Sequence, residues 1–268
     1  MGEVEGGGTG REPSPSSRLD AALAKGRPGL VCYLPLGDPL VPEGLATALL
    51  EAGADVLEVG VPAANPRLDG PVVADSMRRA RAAGVDRRRA VALLAGLRER
   101  VGAHAIVWMG YPERLGERWA REVAVSGVDA VLLAEAPRRL AGPRRWLAAA
   151  GVPLLGFLDL ELDPADVALA SGARSGYVMV QAVPGRTGVR LGGPDPRLPR
   201  ALATLRRAGV QVPLAVGFGV AGAEAARHVV ELGADAVVIG SAVLEAALDG
   251  LPRVSTLIAD VRRALDAR

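Results

Sequence analysis

Two carboxylates, Glu58 and Asp69, stand eleven positions apart where an acid and a base could share one cavity. Glu58 interrupts the apolar run ADVLEVGV at 54–61. Strand alternation puts Val56 and Gly60 on its face and Leu57, Val59 and Val61 on the other. A glutamate carried inward on such a strand loses water, its pKa rises, and it suits proton transfer near neutral pH. The competing expectation is a structural carboxylate held by backbone or by an arginine. Asp69 belongs to PAANPRLDGP at 62–71, whose three prolines can stiffen a loop over the same cavity. By itself Asp-Gly-Pro is a common turn. Two carboxylates in different surroundings can divide acid and base work.

A second signal concerns anions. Glycine-rich stretches follow the last three apolar runs: PGRTG at 184–188, GFG at 217–219 and GSA at 240–242. Ser241 opens the apolar segment Ala242–Leu248, which suits a short helix. With no Cβ in the way at Gly219 and Gly240, backbone N–H groups can face a phosphate at that helix start. Each glycine alone is an ordinary turn residue. Together they point to a small phosphorylated ligand.

Other chemistries lack their residues. Lys25 is the only lysine and precedes the first apolar run, which weighs against a Schiff base in a pocket. His104 and His228 are the only histidines, too few for a His-rich metal site, and both read as structural or surface residues. Cys32 is alone, so no internal disulfide forms, and its place in the first apolar run suits a buried filler. No metal or cofactor is expected. The net charge is only +2 despite a pI of 9.1, the arginines are interleaved with carboxylates, and aromatic residues are few. Nucleic-acid binding is disfavoured on those grounds. No apolar stretch reaches the roughly 20 residues of a membrane span, and the N-terminus lacks the layout of a signal peptide. The expectation is a soluble cytoplasmic protein with no membrane partner.

The elements that must position these groups repeat. An amphipathic helix, a turn with glycine and a short apolar strand recur at EAGADVLEVG (51–60), SGVDAVLLAE (126–135), SGARSGYVMV (171–180) and ELGADAVVIG (231–240). GLVCYLPLG (29–37), HAIVWMG (104–110), AGVPLLGFLDL (150–160) and AGVQVPLAVGFG (208–219) complete eight strands. Helices between successive strands require a parallel sheet. Eight units in 268 residues predict a single (βα)8 TIM barrel of class α/β. An open doubly wound sheet is the alternative if one or two strands fail. Residues 1–17, rich in Gly, Ser and Pro, are expected as a disordered tail, and 18–268 as the barrel domain. Barrel enzymes work at the C-terminal ends of their strands, where Glu58 and the three glycine-rich turns fall.

LPLGDP at 34–39, GADVLEVGVP and NPRLDGP within 53–71, RTG at 186–188, GFG and GSA together resemble the tryptophan synthase alpha subunit family, in order over about residues 18–266. The resemblance implies retro-aldol cleavage of indole-3-glycerol phosphate to indole and glyceraldehyde 3-phosphate, without metal or Schiff base. It assigns proton transfer to Glu58 and the indole N–H to Asp69. Thr187 matches the threonine of a loop that closes over the substrate and meets that aspartate. Gly188, Phe218, Gly219, Gly240 and Ser241 map to the phosphate pocket, Leu132 and Ala134 to the indole wall, and Tyr33 to an aromatic position on the first strand. A beta subunit is the implied partner.

Departures bear on substrate and partner. Where the family has Phe-Ser-Asp-Pro, this chain has Ala63, Ala64, Asn65 and Pro66. Met179 and Met109 replace tyrosines of the sixth and third strands, Tyr111 replaces an asparagine, and DLELDP at 159–164 replaces a short polar loop. Several of these loops dock the beta subunit in the family, so docking here is an open expectation. Three functions follow: the indole-releasing lyase, a divergent lyase acting on another phosphorylated substrate in specialised metabolism, or a catalytically idle barrel that binds a phosphometabolite or a protein.

Overall fold

The computed structural model describes residues 15–24, 26–182, 187 and 195–267. The expected strands form as β1 (Gly29–Pro35), β2 (Val56–Gly60), β3 (Ala105–Gly110), β4 (Ala130–Leu133), β5 (Leu154–Leu158), β6 (Val178–Gln181), β7 (Leu214–Gly217) and β8 (Ala236–Ile239). Neighbours are parallel and run in sequence order around a closed barrel. Closure is set by β1 against β8, with Gly29 opposite Ala236 and Cys32 opposite Ile239, which rules out the open sheet.

Helix α1 (Pro15–Leu23) precedes the barrel. It takes in residues 15–17, so regular structure begins inside the stretch expected as a tail; residues 1–14 lie outside the described residues, as does Lys25. The crossings carry α2 (Leu45–Glu51), α3 (Pro71–Ala82), α4 (Arg87–Val101), α5 (Glu117–Ala124), α6 (Ala141–Ala149), α7 (Pro164–Ser171), α8 (Leu198–Arg207) and α9 (Ala223–Glu231). Helices α10 (Ser241–Leu248) and α11 (Leu251–Asp266) follow the last strand. Local chemistry starts several of them. Pro71 opens α3, while Asp86 and Asp163 accept the N–H groups of Arg89 and Ala165 at 2.8 and 2.9 Å to cap α4 and α7.

The recurrent Gly-x-Asp of three joins has a mechanical role. Gly53, Gly127 and Gly233 turn the chain with φ of 110°, 82° and 107°, a region that only glycine enters cheaply. Two residues later Asp55, Asp129 and Asp235 accept the N–H groups of Leu30, Ile106 and Leu214 at 2.9, 2.7 and 2.7 Å. Each carboxylate pins its strand to the preceding one. Arginines neutralise them: Arg27 and Arg262 at Asp55, Arg18 and Arg98 at Asp129, and Arg206 at Asp235. All of this sits at the amino ends of the strands, away from the mouth.

Alternation then sorts the side chains. Leu57, Val59 and Cys32 pack under the helices, whereas Val31, Tyr33, Val56, Val107, Leu132 and Met179 fill the barrel. Burial pushes the Cys32 thiol pKa up, which keeps it a protonated filler. His104 lies just before β3 with its ring 2.7 Å from the Val101 carbonyl, and His228 is exposed on α9. Among the described residues no helix is long and apolar enough to cross a membrane.

Candidate active site

Glu58 points into the barrel near the carboxyl end of β2 and is only 2% exposed. Its register partners are Tyr33 on β1 and Val107 on β3. No arginine pairs with it among the described residues; the Tyr177 hydroxyl donates to Oε2 at 2.7 Å. Burial raises its pKa to about 7, Asp69 adds to the rise, and the Tyr177 hydrogen bond holds it back. A group that titrates there can both give and take a proton at physiological pH.

Asp69 is held by the loop that joins β2 to α3. Its Oδ2 accepts from the Tyr111 hydroxyl at 2.7 Å and its Oδ1 from Thr187 Oγ1 at 3.2 Å. Burial raises its pKa, against the lowering effect of those two hydrogen bonds. The loop itself is strapped from several sides. Tyr111 Oη accepts from Leu68 N at 3.1 Å, and the Glu113 carboxylate accepts from Ala64 N and Asn65 N at 3.0 and 2.9 Å. Arg67 lies 5.5 Å over the Tyr111 ring and reaches the Ala134 carbonyl and Glu135. Thr187 completes the strap: its N–H donates to Leu68 O, and its Oγ1 accepts from Gly70 N, both at 2.9 Å.

Both carboxylates open into one cleft of about 490 Å³, counting its mouth. Tyr33, Met179, Thr187, Phe218, Gly219, Gly240 and Ser241 line it, with Met109, Val73, Val220 and Val238. Opposite the carboxylates, Phe218 and Gly219 both adopt left-handed backbone, with φ of 67° and 88°. For a phenylalanine that conformation is strained, and such strain collects at functional turns. Its ring meets Phe157 edge-on at 5.8 Å. Gly240 precedes α10, and no side chain caps that helix. Among the described residues that line the cleft there is no lysine or arginine; those that can meet an anion are backbone N–H groups, the helix start and the Ser241 hydroxyl.

Two expected wall residues sit elsewhere. Leu132 is fully buried in the barrel interior, and Ala134 borders a neighbouring cleft that also takes in Arg67, Phe157 and Gln181. Gly188 lies outside the described residues. The roles of Tyr177 and Tyr111 were not legible in the sequence. Each stands two positions from a methionine noted as replacing a tyrosine, Met179 and Met109, on the same inward face. That shared parity was the available signal. Among the described residues no group of three His, Cys, Asp or Glu is placed to hold a metal ion.

Fold and mouth define the class: a (βα)8 enzyme equipped for acid–base work by carboxylates. Comparison with known proteins narrows it. The family model described as Tryptophan synthase alpha chain matches residues 19–261, and the chain belongs to that family. The alpha chain of Alkalilimnicola ehrlichii is 38% identical over 266 residues, covering 93% of this chain and 95% of its own. That of Burkholderia lata is 36% identical over 260 residues, covering 92% and 94%. Among solved structures, a chain of Mycobacterium tuberculosis tryptophan synthase superposes with a TM-score of 0.80 at 28% identity, covering 95% of this chain and 99% of that one. The alpha subunit from Legionella pneumophila gives 0.80 at 26% identity, covering 94% and 99%. Alpha chains of this family are lyases that cleave indole-3-glycerol phosphate to indole and glyceraldehyde 3-phosphate, and the alpha subunit pairs with a beta subunit.

Proposed function

We propose that this chain performs that cleavage with Glu58 as its proton carrier and Asp69 as its electrostatic anchor. The observation that carries the reading is Glu58: a buried carboxyl with pKa about 7, in one cleft with Asp69 and facing the turns at Gly219 and Gly240. Glu58 gives a proton to C3 of the indole, which makes the ring an electron-deficient indolenine. It then takes the proton of the side-chain hydroxyl. The bond between C3 and the glycerol carbon breaks, its electron pair returns to the ring, and the aldehyde leaves. One proton has moved from oxygen to carbon, and Glu58 is back where it began.

Asp69, ionised, accepts the indole N–H and stabilises the positive charge that develops there. Thr187 holds Asp69 and covers the cleft, which keeps water from the intermediate. Phosphate sits at Gly219, Gly240 and Ser241, with Phe218 beside it. The indole lies toward Met109 and Met179, with Tyr33 on the adjoining wall.

A second reading keeps the same machinery and changes the substrate. It draws on Met109 and Met179, which line the cleft where the family has tyrosines. The idle-barrel reading has no such support, because both carboxylates are present. Pairing with a beta subunit belongs to the same proposal, and co-elution with a tryptophan synthase beta chain tests it. For the activity, purified protein is mixed with indole-3-glycerol phosphate. Release of indole and glyceraldehyde 3-phosphate in equal amounts is expected. Absence of indole, with cleavage of another phosphorylated aldol-type compound, overturns the first reading in favour of the second.

A further inference from the structure

One polar atom of the cleft has no partner among the described residues. Tyr33 is 4% exposed, and its hydroxyl makes no hydrogen bond to any described residue. An unpaired buried hydroxyl costs about 1–3 kcal/mol, so its retention at a functional cleft calls for a reason. The ring is fixed by shape. It lies against Gly60, the next inward position after Glu58 on β2, where a Cβ would fall 2.1 Å from the Tyr33 oxygen. On its other flank, a Cβ on Gly240 would sit 3.8 Å from the Tyr33 Cβ. Burial first, then the charges of Asp69 and Glu58, hold the phenol pKa well above 10, so the hydroxyl keeps its proton.

Topology says what passes this atom. In the closed sheet β1 lies between β8, which delivers Gly240 and Ser241, and β2, which delivers Glu58. A ligand that has its phosphate at the first and its scissile bond at the second must run its polyol chain across Tyr33. We propose that the Tyr33 hydroxyl donates a hydrogen bond to an oxygen of that chain, between the phosphate and the carbon–carbon bond that breaks, and so selects substrates hydroxylated there. This rests on the placement of the phosphate argued under the proposed function. A deoxy substrate leaves the phenol unpaired in a cleft closed to water, which is the situation in which a missing hydroxyl is penalised most.

Tyr33→Phe keeps the ring and removes only the oxygen. Its kcat/KM for indole-3-glycerol phosphate should fall about 10- to 100-fold, with the Tm of the ligand-free protein unchanged or higher. Calorimetry gives a readout independent of turnover. Wild type should bind glycerol 3-phosphate more tightly than propane-1,3-diol monophosphate, and the variant should bind the two alike. If wild type cleaves no indole-3-glycerol phosphate, the proposed function falls, and the pair of binding constants still decides the role of Tyr33. Wild-type kinetics in the variant, an undiminished preference for glycerol 3-phosphate, or a large drop in Tm would each overturn the inference.

Discussion

Taking the Glu58 carboxyl out of water lifts its pKa from 4.5 to about 7, so the folded protein keeps a proton there that the unfolded chain gives up. As pH rises past 4.5 the unfolded chain ionises first and gains on the folded state. The cost is complete above about pH 7, on the order of 3 kcal/mol, and absent below the unfolded pKa. Glu58→Gln should therefore resist urea better than wild type at about pH 8 and match it at about pH 4, as unfolding curves will show. Tyr177 acts in the other direction, because its hydroxyl stabilises the ionised form. In Tyr177→Phe the limb of the pH–rate profile that reports Glu58 should move upward by about one unit, the worth of one hydrogen bond to a charged group. Glu58 was legible in the sequence because a charge inside an apolar strand is conspicuous. Tyr177 was not, since 119 residues separate it from its partner and tyrosine is unremarkable beside a buried strand.

The loop from β2 to α3 shows how elements hold a side chain in place. Its sequence predicts stiffness from proline, yet its geometry depends more on contacts from beyond β3 and β4: Tyr111, Glu113, Glu135 and the Ala134 carbonyl. Tyr111 is the joint, since one phenol both accepts from Leu68 N and donates to Asp69. Tyr111→Phe removes one of the two hydrogen bonds that hold the carboxylate and leaves a partly buried N–H without its acceptor, at a cost of about 1–3 kcal/mol. Steady-state kinetics should show kcat/KM down about tenfold, mostly in kcat, because Asp69 acts most strongly on charge that develops in the transition state. Helix and strand identities were legible from period, and α10 from a serine after glycine. Straps between loops were not, because side-chain partners brought together by closure of a barrel leave no local pattern.

At the scale of the molecule, the barrel separates stability from chemistry. The mouth carries two carboxylates with raised pKa values and a phenol with no partner among the described residues, whereas the opposite end carries aspartates pinned by backbone and arginine. Asp129, fully buried, joins Arg18 and Arg98 to the Ile106 N–H. Asp129→Ala removes the buried carboxylate that Arg18 and Arg98 share and should cost about 3–5 kcal/mol, seen as a lower Tm with KM unchanged. The recurring Gly-x-Asp was visible in the sequence as a turn signal, but the aspartate's hold on the neighbouring strand emerges only from closure. The central claim, a buried Glu58 acting beside an anion held by bare backbone, is tested most directly by indole release from indole-3-glycerol phosphate in wild type and Glu58→Gln, each first shown to bind glycerol 3-phosphate. Loss of about 10²–10⁴-fold in kcat with binding retained is the predicted result. Release at the wild-type rate by the variant would contradict it.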